Sequence, residues 1–179
     1  MVPSTDIPTL AVLEYIPYLD QDGQLPADLA GKIGVYAIFN QEKTLKLIGY
    51  SRDIYLSLKQ HLVRQLNECY WVKAQVIERP NRTLLEDIKT SWIQESGTIP
   101  VGNSIDDAKW NQPIDAKLAM TEAEKAKLDV LDELELSKLF KNVARRVEAQ
   151  ILAELESRGV KSEIRFNPKL KENGLLDLK

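Results

Sequence analysis

Residues 33–61 read IGVYAIFNQEKTLKLIGYSRDIYLSLKQH, and this stretch decides the fold. Ile33 to Phe39 is rich in β-branched and aromatic residues and reads as a buried strand. Asn40-Gln41-Glu42-Lys43 follows as a polar turn and Thr44 to Gly49 as a second strand, so the pair forms an antiparallel hairpin. Asp53 then stands where a helix N-cap belongs, ahead of Ile54, Leu58, Leu62 and Leu66, whose four-residue spacing lines one helical face as far as about Gln65.

Working outward, Tyr70 to Ile77 has strand propensity and predicts a third strand. A second helix starts at Asn81 to Thr83, carries Leu84, Leu85, Ile88, Trp92 and Ile93 on one stripe, and stops at Gly97. Residues 98–120, with Pro100, Gly102 and Pro113, read as loop. Thr121-Glu122-Ala123-Glu124 fits a capping box. The apolar pattern from Leu128 to Leu155 then reads as one long helix, or two meeting near Asp132 to Glu135, ended by Gly159. A short strand over Glu163 to Phe166 and an exposed tail from Asn167 complete the reading. The expectation is an α/β (α+β) fold: a small, mainly antiparallel three-stranded sheet flanked by helices, with a long C-terminal helical extension. Its divisions are an N-terminal arm (1–24, with turn signals at Pro8, Pro17, Gly23 and neighbours), a central domain (25–103), and a loop, long helix and tail (104–179) packed on it.

The chain has 179 residues, enough for one sizeable core, and its 44% hydrophobic and 28% charged residues are those of a globular protein. No apolar run approaches the roughly 20 residues needed to cross a bilayer, so no membrane role is expected. Met1 to Asp6 lacks the features of a secretory signal, and the single cysteine, Cys69, has no intrachain disulfide partner, so a cytoplasmic setting is expected. Cys69 beside Tyr70 and Trp71 reads as core. A net charge of −3 gives no global basic excess, so nucleic-acid binding would rest on a local patch. Lys138, Lys141 and Arg145, with Arg146 adjacent, form such a stripe, although Glu135 and Glu148 flank it and favour a solvated helix face.

Gly34-Val35-Tyr36, Leu47-Ile48-Gly49, His61, Leu84-Leu85-Glu86 and Pro100-Val101-Gly102-Asn103, in that order, resemble the GIY-YIG nuclease superfamily. The resemblance covers about Leu25 to Asn103, and the whole chain is similar to uncharacterised GIY-YIG proteins of photosynthetic bacteria. It implies that Tyr36, His61, Glu86 and Asn103 are catalytic positions, with Glu86 the ligand of magnesium or manganese. The bottom-up alternatives are a core aromatic for Tyr36, a helix-surface residue for His61, a cap or ion pair for Glu86 and a turn residue for Asn103.

Two family positions differ here: Leu47 stands for a tyrosine and Ser57 for an arginine. Loss of one transition-state stabiliser costs about 10² to 10³ in rate. Tyr50 is three residues past Leu47 and so on the opposite strand face, about 10 Å away. Arg64 shares the helical face of Ser57 and Arg52 precedes the helix, so these two are the candidate replacements for the arginine. The expected function is therefore a GIY-YIG-like protein with a degenerate site that binds DNA, RNA or a protein partner. A metal-dependent endonuclease of DNA is the alternative, and a structural protein-interaction module the third.

Overall fold

A computed structural model describes residues 7–179, so Met1 to Asp6, with the signal reading made on them and their part of the expected arm, lie outside the described residues. The described residues form two compact units, divided between Asn111 and Gln112.

The centre of the first unit is β2 (Ile33–Phe39), buried over almost its whole length. It pairs antiparallel with β3 (Leu45–Ser51) on one side and β4 (Trp71–Ile77) on the other. A two-residue strand, β1 (Ile16–Pro17), adds to the outer edge of β4, giving the order β1-β4-β2-β3. The sheet is thus four-stranded where three strands were expected; Ile16-Pro17 is too short and too close to turn residues for a strand period to show. The hairpin turn is set by Asn40, whose Oδ1 accepts the Thr44 amide at 2.9 Å.

Alternation along β2 sends its two sets of side chains to opposite faces. Val35, Ala37 and Phe39 join Ile48 beneath α2 (Arg82–Ser96), whose Leu85, Ile88 and Trp92 complete the cluster. Gly34 and Tyr36 face α1 (Ile54–Arg64), which is capped by Asp53. At Gly34 a side chain is excluded by backbone: an added Cβ would stand 2.2 Å from the Gln75 carbonyl oxygen.

The arm is fastened to the α2 side by contacts to its backbone. Trp92 Nε1 donates to the Pro8 carbonyl (3.0 Å), Glu95 accepts from the amides of Leu10 and Ala11 (2.7 and 2.8 Å), and Lys73 Nζ donates to the Leu10 carbonyl (3.0 Å). Lys73 is buried against Tyr15 and Phe39, and burial lowers its pKa while the Glu95 carboxylate opposes the shift. Leu10 itself closes the α2-side cluster.

In residues 98–111, expected to be loop, α3 (Asp107–Asn111) forms a short helix. In the second unit the capping box forms as read, with Thr121 and Glu124 bonded reciprocally, but the helix it starts, α4, is brief (Glu122–Lys125). Asp132 then caps α5 (Glu133–Ser157), so the long pattern holds two helices, but the break covers residues 126–132 and begins ahead of the expected junction at Asp132 to Glu135. The expected strand over Glu163 to Phe166 is reduced to one bridge, Phe166 to Leu178. The tail is not a free end, because Leu175–Leu176 (β6) pairs with Ile114–Asp115 (β5) and Lys171 forms an ion pair with Glu148.

Gly34→Ala should lower unfolding free energy by about 1–3 kcal/mol, the cost of overpacking against a fixed neighbour. Urea denaturation checks this, and an unchanged midpoint would mean that β2 and β4 can separate at that point.

Candidate functional site

The residues singled out in the sequence meet first around Tyr36. Its hydroxyl lies 2.8 Å from His61 Nε2, and His61 Nδ1 lies 2.9 Å from the Trp110 carbonyl oxygen. A carbonyl only accepts, so Nδ1 carries the hydrogen; Nε2 of the neutral ring is then the acceptor and Tyr36 the donor. Arg64 donates to the same Trp110 carbonyl at 3.0 Å. Tyr36 is 4% and His61 4% exposed, so the expectation of His61 on a helix surface is corrected: its imidazole closes the α1 side of the sheet. Burial, joined by the nearby Arg64 charge, drives the His61 pKa down to about 3. Burial also holds the Tyr36 phenol above its ordinary range, with Ser57 and Arg64 opposing weakly. Tyr36 therefore stays protonated and His61 neutral at physiological pH, and the pair forms a polar strut.

Gly49 belongs to this arrangement. It is the register partner of Tyr36 on β3, and a Cβ there would meet the Tyr36 hydroxyl oxygen at 2.7 Å. Leu47, two residues earlier, is 1% exposed, and Ser57 donates to Ser51 Oγ at 2.7 Å. Of the two departures from the resembled pattern, Leu47 is thus buried and Ser57 is half-buried and hydrogen-bonded.

Asn103 acts on the edge of the sheet. Its Oδ1 accepts the Ile48 amide (2.8 Å) and its Nδ2 donates to the Ile48 carbonyl (2.7 Å), so one side chain satisfies both outward groups of an edge-strand residue. A cavity of about 240 Å³ opens beside it, lined by Tyr36, Ile48, Gly49, Tyr50, Lys89, Asn103, Asp107 and Asn111. Glu86 is not in that lining but adjoins it, because its Oε1 accepts the Tyr50 hydroxyl at 2.6 Å. The hydrogen bond to Glu86 is the main cause that raises the Tyr50 pKa. Tyr50, from the edge strand β3, and Lys89, from α2, join this lining, although sequence reasoning set the first aside and passed over the second. Lys89 Nζ stands 5.7 Å from the Tyr50 ring centre.

The other candidates lie elsewhere. Arg64 backs the strut from α1, whereas Arg52 lines a separate cavity with Arg82. Arg146 of the proposed nucleic-acid stripe is committed to Glu124, at 2.8 and 3.1 Å, and to the Ala119 carbonyl. That hydrogen bond, with the Thr121 amide second, brings the Glu124 pKa down to about 2. Lys138 and Arg145 are exposed and Lys141 half-buried on α5. Among the described residues no group of three or more His, Cys, Asp and Glu side chains is placed to hold a metal ion. Cys69 is fully buried, with Sγ directed at the His61 carbonyl oxygen at 3.6 Å. No helix among the described residues is long and apolar enough to cross a membrane.

No family model matches the chain. A curated relative, the bifunctional monothiol glutaredoxin-S16, chloroplastic, of Arabidopsis thaliana, is 29% identical over 101 residues, which is 54% of this chain and 33% of the relative. The chain thus spans about a third of the length of that relative. This similarity corrects the functional expectation: a protein named for glutaredoxin activity supports neither a degenerate nuclease, nor an endonuclease, nor a nucleic-acid-binding or merely structural module. The geometry gives the physical reason, since Tyr36 is held as a donor to His61, Leu47 is buried, Ser57 is bonded to Ser51, and Arg146 is taken by Glu124.

His61 is the chain's one histidine, so its titration is directly readable. The folded ring takes its proton near pH 3 and the unfolded ring near 6.5, so the unfolded state binds more protons between those values. The stability contribution is full above about pH 6.5 and is lost as pH falls toward about 3. Imidazole proton NMR should show no titration of the folded chain from pH 8 to about 4, and His61→Gln should flatten the acid limb of stability against pH. A titration midpoint near 6.5 in the folded chain would contradict the buried strut.

Proposed function

We propose that this chain serves a glutaredoxin-linked redox function as a domain that supplies protein binding and not the reactive thiol. The observation that carries the reading is the combination of 29% identity to a bifunctional monothiol glutaredoxin with a single cysteine that is fully buried. A thiol reacts as an exposed thiolate, and burial in apolar surroundings suppresses both exposure and ionisation. Cys69 packs under α1 and offers no route to a disulfide substrate. The relative's name declares two functions, and the matched third is read as a portion other than the thiol-bearing one.

The recognition surface proposed for this domain is the edge of β3, where Tyr50, Lys89, Asp107 and Asn111 surround a polar cleft fixed from below by Asn103 and Tyr36. Its partner is proposed to be a protein of the monothiol glutaredoxin type. A reducing compartment, the cytoplasm included, suits a domain with one buried thiol. Kinship with the GIY-YIG superfamily is proposed for the scaffold alone. Its support is that Gly34, Tyr36 and Gly49 interlock sterically in one hairpin.

Calorimetric titration of the chain with a monothiol glutaredoxin should show binding, weakened by Tyr50→Ala with Lys89→Ala. In parallel, Cys69 should resist a thiol reagent in the native chain and react once unfolded, and Cys69→Ser should leave binding unchanged. Absence of any complex would refute the partner assignment. Glutathione-dependent disulfide reduction by the native chain, abolished by Cys69→Ser, would instead place the thiol chemistry here.

A further inference from the structure

A second cavity of about 300 Å³ lies on the first unit where the end of β3 passes the start of α2. Its lining divides by chemistry. Ile33, Pro80 and Leu85 form an apolar part, with Leu85 buried, and Arg52 and Arg82 are the two basic residues of the lining. No carboxylate is in the lining, and among the described residues neither arginine is in an ion pair. The acids nearest in sequence have other duties. Asp53 accepts the Leu56 amide as the cap of α1, and Glu86 accepts the Tyr50 hydroxyl. Other polar side chains of the lining are likewise engaged: Asn81 caps α2 through the Leu84 amide, and Ser51 bonds Asp53 and Ser57. Arg82 also hydrogen-bonds the Tyr50 phenol, which donates to Glu86, so the cationic groups of the lining are one arginine held at Tyr50 and Arg52.

From this geometry we infer that the cavity is a binding site for a small oxyanion with an apolar body, a carboxylate or a phosphate monoester. Guanidinium groups match the planar fork of a carboxylate and the oxygens of a phosphate through charge-assisted hydrogen bonds. Ile33 and Leu85 receive the apolar part, and the volume is that of a small-ligand pocket. The site is separate from the Tyr36 cleft and independent of the glutaredoxin-linked reading, although Tyr50 lines both cavities.

The test is an NMR titration of the full chain at low salt with benzoate, phenyl phosphate and neutral benzamide. At least one anion should shift the amide resonances of Ile33, Arg52, Arg82 and Leu85 with a Kd of about 1 mM or tighter, while benzamide does not. Arg52→Gln and Arg82→Gln should each weaken that binding by about tenfold, with the amide spectrum otherwise retained. A preference for phenyl phosphate assigns the site to phosphate monoesters, and one for benzoate to carboxylates. No shift with either anion, equal binding of benzamide, or undiminished binding in both folded variants would overturn the assignment.

Discussion

The hydroxyl of Tyr36 is placed between the imidazole of His61 and the bare Cα of Gly49, and the first unit is arranged around that placement. A buried phenol without a partner would cost about 1–3 kcal/mol. His61 satisfies it and must itself be satisfied, which the Trp110 carbonyl at the other ring nitrogen does. The chain of bonds thus ties β2 to α1 and α1 to α3, while Gly49 lets β3 lie close enough to pair. Each member fixes the next one's protonation: the carbonyl sets the tautomer, the tautomer makes His61 an acceptor, and Tyr36 is left as a donor.

That ordering explains why residues of a catalytic type need not be catalytic. A general acid gives up a proton and a general base accepts one, and burial opposes ionisation of the Tyr36 phenol and protonation of the His61 ring. Asn103 has a comparable history in its geometry, since its amide is consumed by both backbone groups of Ile48. The accessible polar groups are instead Tyr50, Lys89, Asp107 and Asn111 at the rim, a set suited to recognition. The same logic applies to the thiol, because similarity to a monothiol glutaredoxin directs attention to Cys69 and its complete burial directs it away again.

Much of this fold is legible in residues 33–97, because there local signals and tertiary demands agree. The hairpin, both capped helices and the stop at Gly97 follow from β-branched runs, Asp53, Asn81 and a residue free to adopt φ 82°. The motif glycines could be recognised but their cause could not: Gly34 answers to a carbonyl on β4, about forty residues away in sequence, and Gly49 to a side chain on β2. β1, the β5–β6 pair and the ordered tail were illegible because two-residue strands have no period and exist only through their partners. At the site, His61 falls three residues after Leu58 and seven after Ile54, on the buried face of α1, but a lone polar imidazole there reads equally as a surface residue until Tyr36 and Trp110 are seen to receive it. Arg146 reads as part of a basic stripe because Glu124 lies 22 positions earlier.

The central claim is that Tyr36 and His61 stabilise the fold as one coupled pair. A double-mutant cycle of Tyr36→Phe and His61→Gln, measured by urea unfolding at pH 7.5, tests it most directly. The two changes should be non-additive by about 1 kcal/mol, with each single variant costing more than its share of the double. Additivity to within about 0.3 kcal/mol would contradict the coupling and leave both residues to be explained separately.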